Sequence, residues 1–244
     1  MGKYTSDELF HFVGRLAPDE HERNYDTLRQ VIRQGCISHR PHEAGWGATS
    51  LTIEWDRSLV SEELVVPTVT CFCDIPFEQL AIHVTKYGCF GISFDRSMLV
   101  KYGGRPVSYV PLSPEDWGGP FGATLLKDVE CVFRAFRRLV VDAPNKKPSS
   151  SRSLGREPTT SDDAVDALNS IFGKDFLAFI KPFDSTLAPD HAHNFYMERE
   201  WRKFGNLCFK PADVRRVVVE RSFLERARQD LPDLADVVYP APGS

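Results

Sequence analysis

The segment Asn194-Phe195-Tyr196-Met197-Glu198-Arg199-Glu200-Trp201-Arg202 places two carboxylates two residues apart, with a guanidinium two residues further on. Alternate residues of an extended chain share a face. A strand from Phe195 to Trp201 would therefore carry Tyr196, Glu198, Glu200 and Arg202 on one side. Carboxylates at that spacing affect each other's ionisation, and Arg202 would hold one of them charged. Such a pair orients a sugar hydroxyl or stabilises a developing cation. The same residues also suit an exposed ion-pair ladder beside a core Trp. Both readings stand on sequence alone.

Other residues are candidates for the same chemistry. His11 lies inside the apolar run Leu9-Phe10-His11-Phe12-Val13, where an imidazole is either a hydrogen-bonded core group or a catalytic one. Arg15 follows closely enough to reach a phosphate. In Thr70-Cys71-Phe72-Cys73-Asp74-Ile75-Pro76, with His83 and Tyr87 one helical turn apart, a Cys-x-Cys precedes a His. No second Cys or His pair has structural-zinc spacing, so the thiols are read as packed side chains and no metal is expected. Asp74 reads as a helix N-cap. His191 and His193 fall in a loop before the Glu-x-Glu segment.

Arg134, Arg137 and Arg138 share a helical face, followed by Lys146, Lys147, Arg152 and Arg156. Such a face is either plainly solvated or attractive to RNA or an acidic partner. Gly-rich phosphate loops, His-Glu-x-x-His and Gly-x-Ser-x-Gly do not occur, which leaves Rossmann, P-loop, zincin and serine-hydrolase readings unsupported.

The elements that must position these residues follow from hydrophobic period. Tyr25, Leu28, Val31 and Ile32 make one helical face that ends at Gly35, the expected C-cap. Leu51 to Trp55, Leu64 to Cys73, Cys89 to Phe94, Pro106 to Val110 and Arg216 to Glu220 read as strands. A helix is expected from Pro76 to Tyr87, burying Phe77, Leu80, Ala81 and Val84 and stopping at Gly88. Others are expected over Ala123–Val140, Ala164–Phe172 and Ser222–Gln229. Residues 142–163, rich in Pro, Ser, Lys and Arg, read as a flexible insertion in a single domain spanning 1–244. The fold class is α+β, a mixed and mostly antiparallel sheet flanked by helices.

Composition sets the bounds. With 244 residues, 42% hydrophobic content and a net charge of -4, the chain can bury a sizeable core. It lacks the basic balance of a protein that grips nucleic acid along its whole surface. The start of the chain does not resemble an export signal, and no apolar run is long enough to span a bilayer. Its six cysteines are therefore expected to be reduced, in the cytoplasm and away from membranes.

Three segments taken together resemble a known family. They are Leu9 to Phe12 with the helix ending Ile32-Arg33-Gln34-Gly35, then Cys71 to Pro76 with His83 and Tyr87 to Ile92, and lastly Glu198 to Arg202. Their order and spacing are similar to AbiGi, the family of abortive-infection phage-resistance antitoxins. That resemblance implies phage defence and a cognate toxin or operon partner, with the insertion as a docking segment. At the level of plan, a strand bearing His, a helix ending in Gly and a late Glu-x-Glu strand also look like ADP-ribosyltransferases. This similarity implies NAD as cofactor, with His11 at its ribose; Arg15, Tyr87 and Arg202 are the further residues expected around it. Glu200 would be the catalytic carboxylate and Glu198 its accessory. Cys71-Phe72-Cys73 stands where that superfamily carries Tyr or Ser-Thr-Ser. One cavity shared by His11 and the two glutamates is what the likeness requires.

Overall fold

The computed structural model describes residues 6–38, 51–53, 65–112, 127–132, 134–135, 175–188, 191 and 194–243. The insertion at 142–163, the helix expected at 164–172, Trp55 and His193 lie outside them. The chain gathers into two compact units, Met1–Ser50 with Thr68–Val107 and Ala188–Ser244, and Leu51–Pro67 with Ser108–Leu187.

The first unit is built on a seven-stranded sheet in the order β13-β12-β6-β1-β5-β10-β7. Its strands are β1 (Glu8–Phe12), β5 (Val69–Cys73), β6 (Gly91–Asp95), β7 (Arg105–Pro106), β10 (Glu200–Phe204), β12 (Val214–Val219) and β13 (Val238–Pro240). Every neighbouring pair is antiparallel except β12 with β13, which is parallel. The expected mixed, mostly antiparallel sheet is therefore present. Pro106 sits on the edge strand β7 and Pro240 on the opposite edge, where a missing N–H leaves no ladder bond unmade. The strand expected at Cys89 begins at Gly91, whose missing Cβ allows the His11 carbonyl to approach; a Cβ there would lie 2.9 Å from it.

Register assigns the two faces. Phe10 stands opposite Cys73 and Ser93, and Cys73 stands opposite Glu200. One face therefore runs through Glu200, Cys73 and Phe10. Phe10 and Cys73 cluster there with Leu80 and Val84, the buried residues at and beyond the start of α2 (Ala81–Tyr87). The expected long helix is in fact a 3-10 turn, Phe77–Gln79, followed by this short α2, with Ala81 exposed rather than buried. The other face carries Leu9, Phe72, Ile92 and Phe94 against Tyr25, Leu28 and Val31 of α1 (His21–Gln34). Burying each such side chain stabilises the fold by about 1.5–3 kcal/mol. α1 ends where Gly35 adopts a left-handed φ of 60° and its N–H reaches the Ile32 and Val31 carbonyls. Gly35 is fixed twice over, since a Cβ would also meet the Phe209 carbonyl oxygen at 2.7 Å. Just beyond, β2 (Cys36–Ile37) pairs with β11 (Leu207–Cys208).

The C-terminal helix α3 (Leu224–Asp230) is tied to α1 by its last residue. Tyr25 Oη donates to Asp230 at 2.8 Å and Arg29 reaches the same oxygen at 3.0 Å. Burial, then the bond to Asp230 and its charge, push the Tyr25 phenol up to about 12. An acid whose folded pKa is raised holds its stabilisation below the unfolded value and loses it as pH climbs towards the folded one. Stability therefore falls between about pH 10 and about pH 12. Tyr25→Phe is expected to flatten that part of the profile, read by denaturant titration across the range.

In the second unit β3 (Leu51–Ile53) pairs antiparallel with β4 (Val65–Pro67), and β8 (Ser108–Leu112) pairs in parallel with β9 (Ile180–Asp184). Val110, Val129, Leu177, Ala178 and Phe179 are buried. Residues 127–132 are helical, within the span expected for that helix.

Candidate functional site

The strand expected from Phe195 starts only at Glu200. Tyr196–Glu198 forms a 3-10 turn, and Arg199 then adopts a left-handed φ of 46°. Among the described residues it is the one non-glycine with positive φ, a conformation that costs an L-residue about 1–2 kcal/mol. The Asp74 N–H donates to the Arg199 carbonyl at 3.1 Å and fixes the kink. The Arg199 guanidinium lies 3.6 Å from the Asp74 carboxylate, which Arg96 approaches at 3.7 Å and the Ser6 N–H at 3.2 Å. Asp74 is thus not the expected helix N-cap; Pro76 takes that position before the 3-10 turn.

This kink separates the two glutamates. Only Glu200 and Arg202 share a strand face, while Glu198 closes the preceding turn and Tyr196 is exposed. Glu198 is buried, and its Oε1 accepts from Lys86 Nζ at 2.7 Å and from the Tyr87 hydroxyl. Lys86 also lies 5.3 Å from the Tyr87 ring and 4.7 Å from the Phe195 ring, so its charge meets a carboxylate and two aromatic faces. Burial, and then the Glu198 charge and bond, push the Tyr87 phenol far above its ordinary range, while Arg15 opposes them. Tyr87 is a hydrogen-bond donor here and not a base.

Glu200, also buried, receives Arg202 through both carboxylate oxygens, Nε to Oε1 at 2.8 Å and a terminal nitrogen to Oε2 at 3.2 Å. This fork is the pairing expected of Arg202. Cys73, directly opposite Glu200, is a neutral thiol, pushed up first by burial and then by the Glu198 charge. It is thereby disqualified as a nucleophile. Among the described residues no group of three or more His, Cys, Asp and Glu side chains is placed to hold a metal ion.

His11 does not join this cluster. It pairs with Ile92, one residue on from Phe10, and its ring packs 5.7 Å from Phe72 on the α1 side of the sheet. Its Nδ1–H donates to the Cys71 carbonyl at 2.8 Å. Period two sets His11 and Phe10 on opposite faces, because adjacent positions on β1 face opposite ways. Arg15 is exposed, beyond the end of β1, and its charge is felt at Tyr87. Gly14, just before it, packs so closely that a Cβ would lie 2.5 Å from the Tyr87 carbonyl oxygen. His83 is buried, 4.6 Å from the Tyr87 ring and 5.6 Å from Phe12. Arg134 pairs with Glu130 at 2.6 Å; Arg137 and Arg138 lie outside the described residues. Sequence reasoning missed Lys86, Arg96 and Arg199. Lys86 stands beside Tyr87, yet it meets its carboxylate 112 positions away, and no local pattern announces that.

The cluster pairs three buried acids with cations, Asp74 with Arg96 and Arg199, Glu198 with Lys86 and Glu200 with Arg202, and braces a turn with them. The class is an α+β protein whose sheet carries these ion-paired carboxylates beside a short helix. The chain belongs to the AbiGi family: the model described as "Putative abortive phage resistance protein AbiGi, antitoxin" matches residues 54–231. That description names abortive-infection phage resistance and an antitoxin, which implies a cognate toxin as partner. No curated protein and no solved structure matches the chain. No helix among the described residues is long and apolar enough to cross a membrane.

Proposed function

We propose that the chain neutralises its cognate toxin by direct contact, through the turn Tyr196-Met197 that precedes Glu198. What supports this reading is one arrangement. Tyr196 is 52% and Met197 40% exposed, while the next residue is buried and anchored by Lys86 and Tyr87. An exposed Tyr and Met on a braced turn lose little conformational entropy on binding, and aromatic anchors of this kind carry much of the energy of protein contacts. In support too, the neighbouring carboxylates already have internal cations, which suits a scaffold better than a nucleophile. The test is co-expression with the adjacent operon product. Restored growth and co-purification, both retained by Glu200→Gln, are expected. Loss of the complex only on deleting residues 142–163 would move the contact to that segment. A product that never co-purifies would end the reading.

A second reading is favoured by the placement of Glu198 and Glu200 either side of one residue, with Lys86, Arg202 and Arg15 nearby. Those residues would hold a dinucleotide such as NAD, its phosphates on the cations and its ribose hydroxyls on the carboxylates. Bound NAD would supply a labile bond between ribose and nicotinamide, and Glu200 would face the ribosyl cation as that bond breaks. Nicotinamide release from NAD is the measurement, with turnover expected in the wild type and lost in Glu200→Gln. Equal release by both, or by neither, contradicts it.

A further inference from the structure

We propose that Cys36 and Cys208 are an oxidation site, closing reversibly to a disulfide when the chain meets a small-molecule disulfide. The two residues stand directly opposite each other on β2 and β11. Next to them the Phe209 N–H donates to the Gly35 carbonyl at 2.8 Å. This makes the flanking pair the hydrogen-bonded one and leaves Cys36 and Cys208 at the closer position, where Cα atoms are about 4.5 Å apart. Disulfides span about 4.4–6.8 Å between Cα atoms, so the backbone need not move. The sulfurs already lie 3.4 Å apart, and a side-chain rotation brings them to bonding distance.

Lys203 adds the electrostatics. Its buried ammonium is held by the Phe204 carbonyl at 2.8 Å and the Asn206 carbonyl at 2.7 Å, in the turn between β10 and β11. Burial lowers its pKa, and the nearby Cys208 and Cys36 oppose that shift. Cys208 is partly exposed and Cys36 buried, which sets the order of events. The Cys208 thiolate attacks one sulfur of the small disulfide, breaking that S–S bond and releasing one thiolate. The Cys36 thiolate then attacks Cys208 Sγ, forms the internal bond and expels the second. Two protein thiols give up two electrons and two protons; one small disulfide takes them and becomes two thiols.

The other close pair of cysteines is poorly suited. Cys71 and Cys73 are two apart on one strand, about 6.6 Å between Cα atoms with parallel side chains. Closing Cys36 to Cys208, which lie 172 positions apart, would tie the end of α1 to the turn that follows the Glu200–Arg202 strand. A cross-link over so long a loop restricts the unfolded chain.

The experiment incubates the full chain with oxidised glutathione, alkylates the remaining thiols and maps the peptides by mass. Two of the six cysteines are expected to be protected, joined as Cys36 to Cys208. The melting temperature is expected to rise, and dithiothreitol to reverse both. In Cys36→Ala the melting rise is absent and Cys208 keeps the glutathione as a stable mixed disulfide. A wild-type map showing Cys71 joined to Cys73, glutathione retained on Cys208, or all six thiols still alkylated would overturn the proposal.

Discussion

Arg202→Ala lowers stability by about 3 kcal/mol, the lower end of what breaking a buried ion pair costs. The lower end applies because the Arg202 side chain keeps 16% exposure while Glu200 keeps 7%. The loss comes less from the missing guanidinium than from the carboxylate left behind. Glu200 then faces Cys73 across the ladder with its forked partner gone. Adding Glu200→Gln removes the stranded charge, and the double variant is expected to recover about 1–2 kcal/mol of the loss. Urea denaturation of wild type, both single variants and the double variant measures the cycle. A double variant no more stable than Arg202→Ala would mean that the stranded Glu200 charge is not what destabilises that variant.

Glu198→Ala is the second large effect, about 2 kcal/mol, since it deprives both the Lys86 ammonium and the Tyr87 hydroxyl of an acceptor. Lys86 is 28% exposed in its side chain and water compensates it in part, so most of the loss belongs to Tyr87. Glu198→Gln keeps an acceptor for the phenol and is expected to cost about half as much. Ultraviolet titration gives an independent readout. Removing the Glu198 charge shifts Tyr87 back towards the ordinary phenol range, yet leaves it raised, because burial is the larger cause. A Tyr87 that titrates unchanged in Glu198→Ala would contradict the contact.

The parts of this architecture legible in sequence are those that local chemistry dictates. Tyr25, Leu28 and Val31 at helical spacing before Gly35 specify α1 and its end, because only glycine enters the left-handed cap freely. Arg202 two residues after Glu200 on a strand specifies their fork. The kink at Arg199 was hidden, since arginine carries no preference for positive φ; the Asp74 amide and carboxylate impose it from just beyond the end of β5. The Lys86 and Tyr87 contacts to Glu198 span more than a hundred residues, beyond the reach of any periodicity. His11 shows how register decides. Its apolar neighbours announce a buried strand, but which face it takes depends on β5 and β6, and a shift of one residue reverses it. The Cys36–Cys208 pair was hidden for the same reason, as two short strands meet there by tertiary contact alone.

The equilibrium affinity of the purified chain for its operon partner tests the central claim most directly, measured by calorimetry with wild type and with Tyr196→Ala, Met197→Ala combined. A loss of about tenfold or more is expected, with native stability unchanged, because truncating an aromatic anchor costs above about 1 kcal/mol of binding. Undiminished affinity in that folded double variant would contradict the account and place the toxin elsewhere on the molecule.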